Sequence, residues 1–166
     1  DRVDDMLAAA ARKNEAPLSV VCDACSDPHN LGAIIRTGDR AGAHGVVIPK
    51  RSRAGLTSVV AKTSAGAVSH MKVARVPNIP SVLKDLKKQG VWVFGTAANG
   101  TTGLYDADLK GAAAIVIGSE GDGMTRLAAD NCDFLVSIPM KGDLNSLNAS
   151  ASAALLLYEA GRQRMK

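Results

Sequence analysis

The stretch AAIVIGSEGDGM, residues 113–124, decides the fold class. An unbroken apolar run of strand length comes first, and glycines follow at Gly118, Gly121 and Gly123. A run that is apolar at every position, not every second one, marks a strand buried on both faces, as in a parallel sheet covered by helices. In such folds ligands bind at the carboxyl ends of the strands, where glycine turns let them approach the backbone closely. The spacing here is GxxGxG, which disfavours the GxGxxG dinucleotide fingerprint. Glu120 stands amid these glycines at the start of a predicted helix. It reads either as a helix cap or as a carboxylate that orients a nearby polar group.

Outward from this stretch, apolar strands alternate with helical segments. Strands are predicted at 18–23, 45–49, 70–76, 91–97, 113–118 and 133–139. Helices are predicted over 1–13, 30–42, 55–67, 79–90, 123–131 and 146–164, with Gly42 and Gly90 as stops. The alternation predicts an α/β fold, a mostly parallel sheet with helices on both faces. Residues 98–111 form the longest polar stretch and read as a mobile excursion. The last helix carries a stripe of Leu147, Ala151, Ala154, Leu155 and Tyr158, yet Ala153, Leu156 and Leu157 make its other sides apolar too. That pattern predicts packing against a second subunit as well as the helix's own sheet.

Composition narrows the classes. The chain has 166 residues, 46% of them hydrophobic and 22% charged, which suits one globular domain. No apolar run reaches the ~18 residues of a membrane span and no secretory signal is seen, so a cytoplasmic location and no membrane contact are expected. A net charge of +4 fits an acidic partner such as RNA. PKRSR at 49–53 gathers Lys50, Arg51 and Arg53 in one loop, read as either a solvated loop or a phosphate contact. Aromatics are only 3%, so rows of stacked bases are not expected. Cys22 and Cys25 form a CxxC without a second CxxC or an HxxxH. Cys22 reads as a small buried residue at a strand end, and no metal is expected.

Two further segments carry polar residues at the mouth of a helix: DPHNLGAIIRT at 27–37 and IPMKGDLNSLNASASAALLLYE at 138–159. Asn30 near the helix start would put Arg36 in the second turn, an unusual charge among Ile34 and Ile35. An arginine so placed usually pairs with a carboxylate or a phosphate, and Glu120 is a candidate partner. Ser146 reads as the cap of the last helix, with Asn148 close by.

Together, in order and spacing, DPHNLGAIIRT, IGSEGDGM and SLNAS…LYE resemble the three motifs of the SpoU (TrmH-type) class of the SPOUT superfamily, over about residues 18–164. The resemblance implies a C-terminal trefoil knot, a homodimer, and transfer of a methyl from S-adenosylmethionine to a ribose 2′-hydroxyl of RNA. It implies a cofactor pocket lined by Thr96, Ala97, Gly118, Gly121, Ile138, Met140, Leu147 and Asn148. The functional polar residues would be Asn30, Arg36, Glu120, Ser146 and Asn148, with RNA contacts from Arg36, Lys50, Arg51 and Arg53. Asn145 and Ala149 depart from the family's commoner residues. DPHNLGA, VPN and YEAGRQR look most like the branch that methylates a guanosine of bacterial 23S rRNA. In that branch residues 1–14 would be the linker remnant of an absent N-terminal RNA-binding domain, with 15–166 the catalytic domain. A tRNA 2′-O-methyltransferase of the same class, or a catalytically silent RNA-binding module, are the alternatives.

Overall fold

The computed structural model describes residues 2–51, 57–119, 123–141 and 148–165. The elements run α1 (Val3–Arg12), β1 (Leu18–Cys22), α2 (Pro28–Ala41), β2 (Gly45–Pro49), α3 (Ser58–Thr63), β3 (Val73–Val76) and α4 (Ile79–Lys88). They continue with β4 (Trp92–Thr96), β5 (Thr102–Gly103), β6 (Ala113–Ile117), α5 (Arg126–Asp130), β7 (Phe134–Ser137) and α6 (Ala149–Arg164). The sheet order is β3-β2-β1-β6-β4-β7-β5, and every pairing along it is parallel.

The continuous apolar strands lie at the centre, as their sequences require. Every residue of β1 and of β6 is buried. Leu18, Val20 and Cys22 of β1, with Ala113, Ile115 and Ile117 of β6, join one core with α2, α3 and α6. Val21, Ala114 and Val116 join a second core on the opposite face, against α1, α4 and α5. The period-two alternation of side chains thus feeds two cores from one sheet. Each fully buried Leu or Ile contributes about 1.5–3 kcal/mol relative to exposure. Among the described residues, no helix is long and apolar enough to cross a membrane.

Helix boundaries follow from caps. Asp27 caps α2, accepting from His29 N at 2.9 Å, and Pro28 takes the first helical position. The helix ends at Gly42, φ 86°, which only glycine adopts cheaply, and Ala43 N donates to Gly38 O. The predicted helix over 55–67 is shorter, because Ala65 and Gly66 adopt positive φ and a 3-10 turn at Ala67–Ser69 follows.

The stretch 98–111, expected to be a mobile excursion, is instead held down. Thr102 and Gly103 pair with β7, and Leu104, Ala107 and Leu109 are buried. Gln163 of α6 brackets the loop: Leu109 N donates to its Oε1 at 2.7 Å and its Nε2 donates to Ala107 O at 2.8 Å. Arg164 donates to the carbonyls of Leu109, Gly111, Ala16 and Pro17. A threaded C-terminus would depend on residues 120–122 and 142–147, which lie outside the described residues.

Candidate active site at the carboxyl edge of the sheet

Three neighbouring strands, β6, β4 and β7, deliver predicted pocket residues to one edge. Gly118 follows β6, Thr96 ends β4 with Ala97 next, and Ile138 follows β7. Thr96 Oγ1 donates to Val116 O at 3.4 Å, and Ala97 N donates to Val136 O at 3.0 Å. These bonds fix the β4 exit against both of its neighbours. Ile138 packs against the α2/α6 core, whereas Met140 is exposed. The edge is therefore apolar side chains interleaved with strand-end backbone groups.

The glycines earn their places sterically. A Cβ at Gly118 would run into the backbone of Gly123 and Met124. Ser119 and Gly123 exchange two backbone hydrogen bonds, each of 3.0 Å, and Gly123 adopts φ 72°. Glu120 and Gly121 lie outside the described residues, as do Ser146, Leu147 and Arg53.

The segment Cys22–Cys25 backs this turn, and the sequence reading missed it as a site element. Asp23, 8% exposed, accepts from Thr125 N through Oδ2 at 2.6 Å. Its own N–H donates to Ile117 O at 2.8 Å. Cys25 Sγ lies 3.9 Å from Gly118 O. Cys22 and Cys25 are both buried, and the hydrogen bond between them, with burial, pushes the Cys22 thiol well up. A thiolate is correspondingly disfavoured, which suits packing better than metal or redox chemistry. Among the described residues no cluster of three or more His, Cys, Asp or Glu is placed to hold a metal ion.

The predicted polar residues are distributed more widely. Asn30 lies within the first turn of α2, since Asp27 and not Asn30 is the cap, and its Nδ2 faces Asp27 Oδ2 at 3.5 Å. Arg36 therefore opens the third turn, about 9 Å further along the axis, and is exposed. It stands in an amphipathic helix whose Leu31, Ile34 and Ile35 turn inward, and no carboxylate among the described residues pairs with it. Asn148 caps α6, the role expected of Ser146, accepting from Ala151 N at 2.8 Å and from Ser150 Oγ at 3.0 Å. Lys50 and Arg51 are exposed just beyond β2. Arg75 of edge strand β3, absent from the sequence reading, donates to Lys50 O at 3.3 Å.

Relatives match nearly the whole chain. A TrmH family tRNA/rRNA methyltransferase of Bacillus subtilis is 51% identical over 98% of this chain and 65% of its own length. A tRNA/rRNA methyltransferase of Synechocystis is 48% identical over 96% of this chain and 42% of its own. The chain thus spans about two thirds or less of these relatives. Among solved structures, the SpoU methyltransferase AviRb of Streptomyces viridochromogenes, in complex with AdoMet, superposes with a TM-score of 0.85 at 32% identity. It covers 90% of this chain and 61% of that one. An RNA 2′-O ribose methyltransferase superposes with a TM-score of 0.76 at 32% identity, over 90% of this chain and 57% of that one. The SpoU rRNA Methylase family matches residues 17–158, spanning β1 to α6 and the whole carboxyl edge just described, and the chain belongs to that family.

Proposed function

We propose that the chain is the catalytic part of an S-adenosylmethionine-dependent RNA 2′-O-ribose methyltransferase acting on a guanosine of 23S rRNA. The observation that carries this reading is the meeting of Thr96, Ala97, Gly118 and Ile138 at the ends of three adjacent parallel strands. The donor set fits the cofactor: strand-end amides and carbonyls beside apolar Ile138 and Met140 suit an adenosine and a thioether chain, with no buried Lys or Arg among the described residues to oppose a sulfonium. Family membership implies the trefoil knot and a homodimer. Leu155 and Tyr158 of α6, 38% and 55% exposed, offer the apolar surface for a second copy. Residues 1–14 would connect to an N-terminal RNA-binding domain, and the location would be cytoplasmic.

S-adenosylmethionine, when bound, supplies a methyl already activated on a sulfonium. The chain's residues supply orientation and charge. The 2′-hydroxyl is a poor nucleophile until its proton leaves. A guanidinium is not a base at neutral pH, so Arg36 would bind the phosphate next to the target ribose, whose oxygen takes that proton. Its exposure leaves the donors of the guanidinium available for such a phosphate. Asn30 would hold the ribose from the first turn of α2, and Glu120 and Ser146 keep the roles that the resemblance implies. Asn148 would serve mainly by ordering the start of α6. Lys50 and Arg51, with Arg53, would add phosphate contacts that weaken as salt rises.

The test is methyl incorporation into rRNA against tRNA, with cofactor binding measured by calorimetry. Arg36→Ala should lose 100-fold or more in single-turnover transfer while binding the cofactor normally, and Arg36→Lys should recover little. Near-normal transfer by Arg36→Ala would remove Arg36 from the mechanism. Methylation of tRNA alone would replace the rRNA substrate, and cofactor binding without transfer would favour a silent RNA-binding module.

A further inference from the structure

Two carboxylates are buried among the described residues, Asp23 and Glu159. Glu159 is answered by Arg162 at 2.6 Å and Gln163 at 3.0 Å. Asp23 has no such cation beside it among the described residues; its carboxylate meets the backbone N–H of Thr125, 102 residues later in the chain. A carboxylate taken out of water is costly to keep, and a charge-assisted bond to a backbone amide is about twice as strong as a neutral one. What that bond holds is the returning limb of the loop that leaves β6. The outgoing limb is held from the same segment, Cys22–Cys25, by Asp23 N on Ile117 O and Cys25 Sγ beside Gly118 O. The limbs are tied to each other by the paired bonds of Ser119 and Gly123. They are also so close at Gly118 that no side chain fits there.

We propose that Asp23 is a positioning residue of the cofactor-binding loop, acting through Thr125 N–H to fix where Gly118 and Ser119 present their backbone groups. This rests on the reading of that loop as part of the S-adenosylmethionine pocket. Without the anchor the Ser119–Gly123 pair opens more often and the pocket wall is preformed for less of the time, so affinity falls in proportion.

The experiment compares Asp23→Ala, Asp23→Asn, Thr125→Pro and the Asp23→Ala/Thr125→Pro double variant in the full chain. Thr125 has φ −63°, which proline adopts unstrained while removing the N–H. Asp23→Ala and Thr125→Pro should each weaken S-adenosylmethionine binding tenfold or more and speed exchange of the Ser119 and Gly123 amides, leaving RNA affinity within twofold. Asp23→Asn retains an acceptor and should bind the cofactor within about threefold of the parent. Thr125→Pro also loses the Oγ1 cap on Ala128 N, so the double variant should bind no worse than Thr125→Pro alone, in which the Asp23–Thr125 bond is already gone. Cofactor binding by Asp23→Ala within twofold of the parent overturns the proposal, as does a fully additive double variant. Should Asp23→Ala not fold, Asp23→Asn and Thr125→Pro decide alone. If the parent itself binds no S-adenosylmethionine, the functional reading fails. Faster Ser119 and Gly123 exchange in the variants would then still uphold the anchoring role, and unchanged exchange would end it.

Discussion

Replacing Gln163 with alanine tests whether the loop after β4 is held from α6. The carboxamide makes two bonds to that loop, from Leu109 N at 2.7 Å and to Ala107 O at 2.8 Å. Both loop residues are buried, Leu109 completely. Each bond contributes about 1 kcal/mol net, and a backbone group stranded away from water costs about 1–3 kcal/mol more. The sum is about 3–5 kcal/mol, which for a chain of this length lowers Tm by roughly 6–20 °C. Urea unfolding at pH 7 measures the loss, and hydrogen exchange at the Leu109 amide locates it. Gln163→Glu sharpens the test, because its shape is almost unchanged. It keeps an acceptor for Leu109 N, loses the donor to Ala107 O, and sets a second carboxylate where Nε2 now lies 3.0 Å from Glu159 Oε2. At neutral pH it should cost at least as much as alanine, with part of the loss recovered as the pH falls and one of the paired carboxyls takes a proton. A loss below about 1 kcal/mol in Gln163→Ala, or unchanged Leu109 exchange, would refute the reasoning.

Gly118→Ala should destabilise the chain by about 1–3 kcal/mol or more, since its methyl meets backbone that cannot swing aside, and should bring S-adenosylmethionine binding below detection. Calorimetry with wild-type affinity would show that the limbs of the loop are not in contact. Glu159→Gln should flatten the acid side of the stability profile. Arg162 and Gln163 hold the Glu159 carboxyl below its ordinary value of 4.5. Its stabilising contribution is therefore complete above that value and is lost as pH falls through the lower folded-state value. Urea melts between about pH 5 and pH 3 should show a shallower fall for the variant, and identical slopes would contradict the assignment.

The central strands were legible because burial on both faces leaves an uninterrupted apolar run, as in LSVVC and AAIVI, and the observed ends fall within a residue or two of the predicted ones. Gly42 and Gly90 were legible because both adopt positive φ just past a helix. Caps were harder to read. Asp27 and Asn148 sit within three residues of Asn30 and Ser146, and the path of the chain out of the sheet, not residue type, selects among them. The 98–111 stretch misled because its polarity is local, whereas its anchors are Gln163 and Arg164, more than fifty residues away. The arrangement around Asp23 left no periodic mark either: one acid after a strand shows no role until its partner beyond the neighbouring strand is known. The family strings singled out Gly118, while the steric reason for it appears only when Gly123 and Met124 are seen to lie against it.

Arg164 gives the molecule a temporal asymmetry. Its guanidinium gathers carbonyls from Ala16 and Pro17, 148 and 147 residues upstream. On a ribosome adding about 5–20 residues per second, those carbonyls wait roughly 7–30 s for their donor. Through that interval the entry to the first strand is unlatched, and nascent segments can still slide past one another. The closing turn of α6 then bolts together stretches made far apart in time.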